Sequence, residues 1–173
     1  MDTLGFIRDE LDIKILILYI LEKLPAPMEG SALGDLVLFD GGFNWFDYTD
    51  CLAELVKTEH VAEKDGSYEI TEKGRRNVGF VGSSLPYSVR TKADRLTAPV
   101  AAAMRRSSMI ETHTEPGENG GKTVSLRLSD GVGEIISLRI AVPDETQAKA
   151  MEGRFRKDAE DIYNRIITIL TEK

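Results

Sequence analysis

The sequence is short of the residues that usually carry chemistry. It holds one cysteine, Cys51, and two histidines, His60 and His113. A single thiol closes no intrachain disulfide, which points to a reducing compartment. The two histidines lie 53 positions apart, so no zinc-ligand spacing forms. No metal and no cofactor is therefore expected. Long apolar runs are also missing. The most apolar stretch, ILILYIL at 15–21, is far too short to span a bilayer. No basic segment followed by a cleavable apolar stretch opens the chain, so no signal peptide, no membrane association and a cytoplasmic location are expected. Positive charge is scarce in the first half. Residues 1–80 hold 16 acidic and 8 basic residues, whereas residues 81–173 hold 13 and 14, within a net charge of −7.

Catalytic patterns are lacking too. Carboxylates are abundant but scattered. PGENGGKT at 116–123 ends like a phosphate loop, but Pro116 stands where the first glycine belongs. The alternating VSLRL that follows reads as a strand, where a phosphate loop requires a helix. The segment reads as a hairpin turn. No enzyme activity and no catalytic residue are expected.

What the sequence does contain is a clear order of elements. A helix from about Asp9 to Leu24 is apolar on several sides, the mark of a helix buried on several sides. Pro25 and Pro27 forbid its continuation. Ser31 is positioned to cap a second, short helix, and DGGF at 40–43 breaks it. Asn44 caps a third helix, in which Tyr48, Leu52, Leu55 and Val56 form one apolar stripe. Asp65-Gly66, flanked by alternating segments over 60–71, predicts a two-residue hairpin. Thr71 caps a fourth short helix. Helix, helix, helix and hairpin is the order of a winged helix-turn-helix, with the hairpin as its wing.

VGSSLP at 81–86 reads as a boundary. A further helix follows, and Pro99 is expected to kink it or divide it. Three alternating segments, separated by glycine-rich turns, predict an antiparallel meander with one buried face. Asp144 and Gln147 open a long last helix whose apolar seam runs Ala148, Met151, Phe155, Ala159, Ile162, Ile166, Ile169. The predicted fold class is α+β. A winged helix-turn-helix occupies 1–82. A linker helix, a three-stranded meander and a C-terminal helix occupy 83–173, for dimerisation or effector sensing.

Several stretches carry a resemblance over nearly the whole chain: DIKILILYIL, TDCLAELV, YEITEKGR, LPYSVRTKADRL and DAEDIYNRIITIL. They resemble a family of small bacterial proteins, common in Gram-positive anaerobes, that is defined as a domain of unknown function. That family is described as winged-helix and grouped with PadR-like and MarR-like regulators. The resemblance implies a transcriptional regulator, and such proteins are generally dimers.

The candidate DNA-binding residues follow from this order. Asn44, Trp45, Thr49 and Lys57 lie on the third helix, over 44–57. Lys64 and Ser67 lie on the wing, and Lys73, Arg75 and Arg76 just after it. Each has a plainer reading. Asn44 caps, Trp45 packs on the second helix or on the second domain, and Arg76 pairs with Glu72 at i, i+4. Arg90, Lys92, Arg95, Arg105 and Arg106 on the middle helix read best as a solvated face. Cys51 reads as a buried structural thiol. Two functions remain. One is a homodimeric regulator of double-stranded DNA, joined through the last helix and the first. The other is a winged-helix module for a basic protein partner, with Trp45 and Phe46 as anchors.

Overall fold

Asp9 starts the first helix, α1 (Glu10–Lys23), by accepting the Asp12 amide on its carboxylate. The computed structural model describes residues 6–7 and 9–172. Strand β1 (Met28–Glu29) and helix α2 (Gly30–Val37) come next. Glu29, not Ser31, caps α2. The Glu29 side chain accepts the Ser31 amide and hydroxyl, and Ser31 already lies inside the helix.

Helix α3 (Trp45–Lys57) opens on a complete capping box between Asn44 and Asp47. Strands β2 (Val61–Lys64) and β3 (Ser67–Ile70) form the expected hairpin. Its two turn residues, Asp65 and Gly66, have φ of 52° and 77°, as a two-residue turn of this hand requires. β1 pairs with β3, Met28 opposite Tyr68, giving an antiparallel sheet in the order β1-β3-β2. Thr71 then caps α4 (Glu72–Val81).

The core explains why α1 is apolar on several sides. Ile13, Ile15, Leu16, Ile17, Leu18, Ile20 and Leu21 are all buried, because α2, α3, α4 and β3 all pack against α1. Helix α5 (Tyr87–Ser108) adds Val89, Ala93 and Ala101 to the same core. It is one continuous helix through Pro99, so the expected division does not occur. Pro99 lies on the exposed face, where the carbonyl it leaves unbonded can face water.

The chain separates into two compact units, Met1–Met104 and Arg105–Lys173. The sequence reading divides the chain at 82/83. Contacts keep most of α5 with the first unit, since its buried residues belong to the α1 core.

In the second unit, β4 (Ile110–Pro116), β5 (Lys122–Ser129) and β6 (Glu134–Val142) make an antiparallel meander in that order. Asp144 accepts the Gln147 amide and opens α6 (Glu145–Thr171). Val124, Leu126 and Leu128 of β5 are buried with Ala148, Phe155 and Ala159 of α6. Ile136, Leu138 and Ile140 of β6 lie on the same face but stay only partly buried. At Asp158 the backbone leaves helical geometry, with φ −127° and ψ 27°. The molecule is thus a mixed α+β protein with six α-helices and two three-stranded antiparallel sheets among the described residues. None of its described helices is long and apolar enough to cross a membrane.

Candidate functional site

The amphipathic period of α3 decides what it can offer. Tyr48, Cys51, Leu52 and Leu55 face the core. Opposite them, Phe46, Asp50, Ala53 and Lys57 recur at steps of four, three and four, and all are exposed. This ridge is the outermost line of the helix. Asp47 and Glu54 flank it on one side and Thr49 on the other. Phe46 is 76% exposed, against 42% for Trp45.

Four of the nine candidate residues work to hold the helix in place. Asn44 Oδ1 accepts the amides of Phe46 at 2.8 Å and Asp47 at 3.2 Å. Trp45 leans inward, its ring centroid 5.2 Å from that of Tyr48. Gly34 on α2 makes this possible. A Cβ there would lie 2.4 Å from the indole, so no larger residue admits this approach. Thr49 Oγ1 donates to the Phe46 carbonyl at 3.0 Å. Lys73 Nζ donates to the Thr58 carbonyl at 2.7 Å, putting a positive charge on the C-terminal end of α3.

That C-terminal end is closely built. The Glu59 amide reaches the Val56 carbonyl and the His60 amide reaches the Leu55 carbonyl. These two bonds form a Schellman motif, with Glu59 at φ 60° in the place glycine usually takes. His60 sits between Thr58 Oγ1, 2.9 Å from Nδ1, and Asn77 Nδ2, 2.6 Å from Nε2. With the Asn77 amide donating, Nε2 is an acceptor and the imidazole is neutral. Burial, and then the nearby Lys73 charge, hold its pKa below the usual value, in agreement with that neutral form.

The other candidates project. Lys57, Lys64, Arg75 and Arg76 are exposed and join no ion pair among the described residues. The Glu72–Arg76 pair, possible from spacing, does not form. Ser67 is half-buried in β3, opposite Lys64 on one side and Glu29 on the other. On the middle helix, Arg90 donates to the Leu85 carbonyl, and Lys92 to the Phe39 carbonyl at 3.0 Å.

The acidic side of α3 borders a cavity of about 410 Å³ lined by Glu10, Phe43, Asp47, Asp50, Cys51 and Glu54, among others. Glu54 is ion-paired with Lys14, which partly balances this side. Burial pushes the Cys51 thiol up to about 11, so it stays protonated and unreactive near neutral pH. No group of three or more potential ligands is placed to hold a metal among the described residues. The sequence reading named Phe46 and Lys57 but did not join them, with Asp50 and Ala53, into one ridge at the helical spacing 46-50-53-57.

No curated protein and no solved structure matches the chain. A family model does, over residues 13–170, so the chain belongs to the domain-of-unknown-function family DUF4364.

Proposed function

We propose that the first unit is a winged helix-turn-helix that binds a protein and does not read duplex DNA. The order α1, α2, α3, then the β2–β3 hairpin with β1 as third strand, supports the winged reading. The observation that carries the choice of partner is the charge of the outward side of α3. Asp47, Asp50 and Glu54 outnumber Lys57 there; Asp47 and Asp50 stand in the N-terminal half, the part of a recognition helix that meets base edges, while Glu54 lies in the C-terminal half and pairs with Lys14. A groove lined with phosphates, about one charge per 1.7 Å, repels that arrangement. A partner with a basic, apolar-centred surface fits it. Phe46 supplies the aromatic anchor and the carboxylates supply the rim.

The test is a photo-crosslinker placed at Ala53, activated in cells of the native host. The expected result is a protein adduct that Asp50→Lys abolishes. A nucleic-acid adduct overturns the reading. So does salt-sensitive binding of the purified chain to random genomic fragments, with a slope matching several phosphate contacts.

The second reading is a DNA-binding regulator. Lys57, Lys64, Arg75 and Arg76 favour it, since all four cations are free to meet phosphates. Under that reading, Arg75→Ala with Arg76→Ala lowers the salt slope by up to about two units.

A further inference from the structure

We propose that the second unit is completed by a second copy of itself, with the C-terminal end of each α6 lying antiparallel in an apolar groove of the other. The groove lies between α6 and β6. It has a volume of about 360 Å³, and Leu126, Leu138, Ile140, Met151 and Phe155 are among the residues that line it. It exists because α6 packs chiefly over β5 and β4, leaving the inner face of β6 half covered. An uncovered apolar strip beside an edge strand is a surface that a soluble protein normally closes.

The same unit holds an element that lacks a groove. Ile162 and Tyr163 are the last residues of α6 to pack on the sheet core, so the final two turns of the helix run past it. The overhang is apolar. Ile169 and Leu170 are 74% and 75% exposed, and Ile167 is exposed as well. An unfilled groove and an unhoused helix end on one chain are the two halves of a self-complementary contact. Such a contact is what a two-fold dimer requires.

Charge fixes the direction. Over Glu145–Lys157, α6 carries Lys149, Arg154, Arg156 and Lys157 against Glu145 and Glu152, a net of +2. Over Asp158–Thr171 it carries Asp158, Glu160 and Asp161 against Arg165, a net of −2. Antiparallel helices set the positive half of each against the negative half of the other. They also set their dipoles in opposition. A parallel pair would align like charges. The groove is lined from the N-terminal half by Gln147, Ala150 and Met151, where the antiparallel arrangement brings the partner's last turns.

The test uses the full chain. Light scattering at micromolar concentration is expected to give twice the 19.2 kDa chain mass. Ile169→Glu with Leu170→Glu should weaken the dimer at least a hundredfold while leaving circular dichroism unchanged, because both side chains are exposed within one chain. In a Cys51→Ala background, Ala150→Cys with Ile169→Cys should form a covalent dimer on mild oxidation. Within one helix these positions are about 28 Å apart, so no intrachain bridge can form. A monomeric wild type overturns the proposal. So does a dimer untouched by the two glutamates, or native mass spectrometry that finds a monomer carrying an apolar small molecule. This inference deepens the dimer expectation and is separable from the partner reading. The Ile169→Glu, Leu170→Glu chain should still crosslink through Ala53.

Discussion

The two units solve the same problem to different degrees. In the first, α1 is packed on several sides, and seven of its side chains are buried. In the second, α6 covers only part of one sheet face, and β6 keeps three apolar residues half in water. The first unit therefore encloses its central helix, although Leu11, Phe46, Phe80 and Tyr87 stay exposed on its surface. The second has a core open on one side and an apolar helix end. A closed core can stand alone, whereas an open one implies a further participant.

The largest expected effect tests the closed core. Leu16→Ala empties a site with no solvent exposure, and should cost about 3–4 kcal/mol in urea unfolding. A cost below about 1 kcal/mol would mean that the helices around α1 can collapse onto the void, and the contrast between the units would weaken.

The open core gives the next test. If a second copy covers β6, thermal unfolding of the second unit must shift upward with protein concentration, by mass action. Leu138→Ala should then cost about 1 kcal/mol in dilute solution and more when concentrated, as its half-buried side chain gains cover. A melting temperature independent of concentration would leave the groove an ordinary surface.

Smaller effects sharpen the description of α3. Asn44→Ala removes an acceptor for two amides and should cost about 1 kcal/mol. Glu59→Gly should go the other way and stabilise by up to about 1 kcal/mol, because it relieves a left-handed backbone in the Schellman motif. A loss on Glu59→Gly would show that the Glu59 side chain has a role its backbone conceals.

The smallest effect is a pH dependence. His60 titrates lower in the folded chain than its free value of 6.5. The unfolded chain therefore takes up the proton first as pH falls. Stability contributed by this site is full above that value and declines as pH drops through and below it. His60→Gln should flatten the decline in denaturation series between neutral and mildly acidic pH. An unchanged profile would assign the acid sensitivity to other groups.

Much of this fold was legible in the sequence. Asp65-Gly66 announced the hairpin because both turn positions need positive φ, and few other pairs supply it. Asn44, Thr71 and Asp144 announced three helix starts, since each has an oxygen that can accept an orphan amide. The misplaced cap at Glu29 has the same physics. A longer acidic side chain reached the Ser31 amide first, and periodicity does not see reach. Pro99 does not divide α5, because the rule against proline in a helix weakens where the freed carbonyl can face water. The site was harder. Phe46 was named as an anchor, and helical spacing alone could have added Ala53 beside it on the outer ridge. That Trp45 turns inward depended on Gly34, eleven positions away and on another helix. That Lys73 holds the end of α3 depended on the β2–β3 hairpin that returns α4 to it. Neither fact has a local signature.

The irregular turn at Asp158 changes what α6 can transmit. A continuous helix behaves as a rod, so a push at its tip is felt at its base. Here the backbone leaves helical geometry at Asp158, and Arg154 is ion-paired with Asp158 at 2.7 Å across the joint. Ala159, Ile162 and Tyr163 beyond the joint still pack on the sheet core, so both sides of the joint are seated and only the last two turns run past the core.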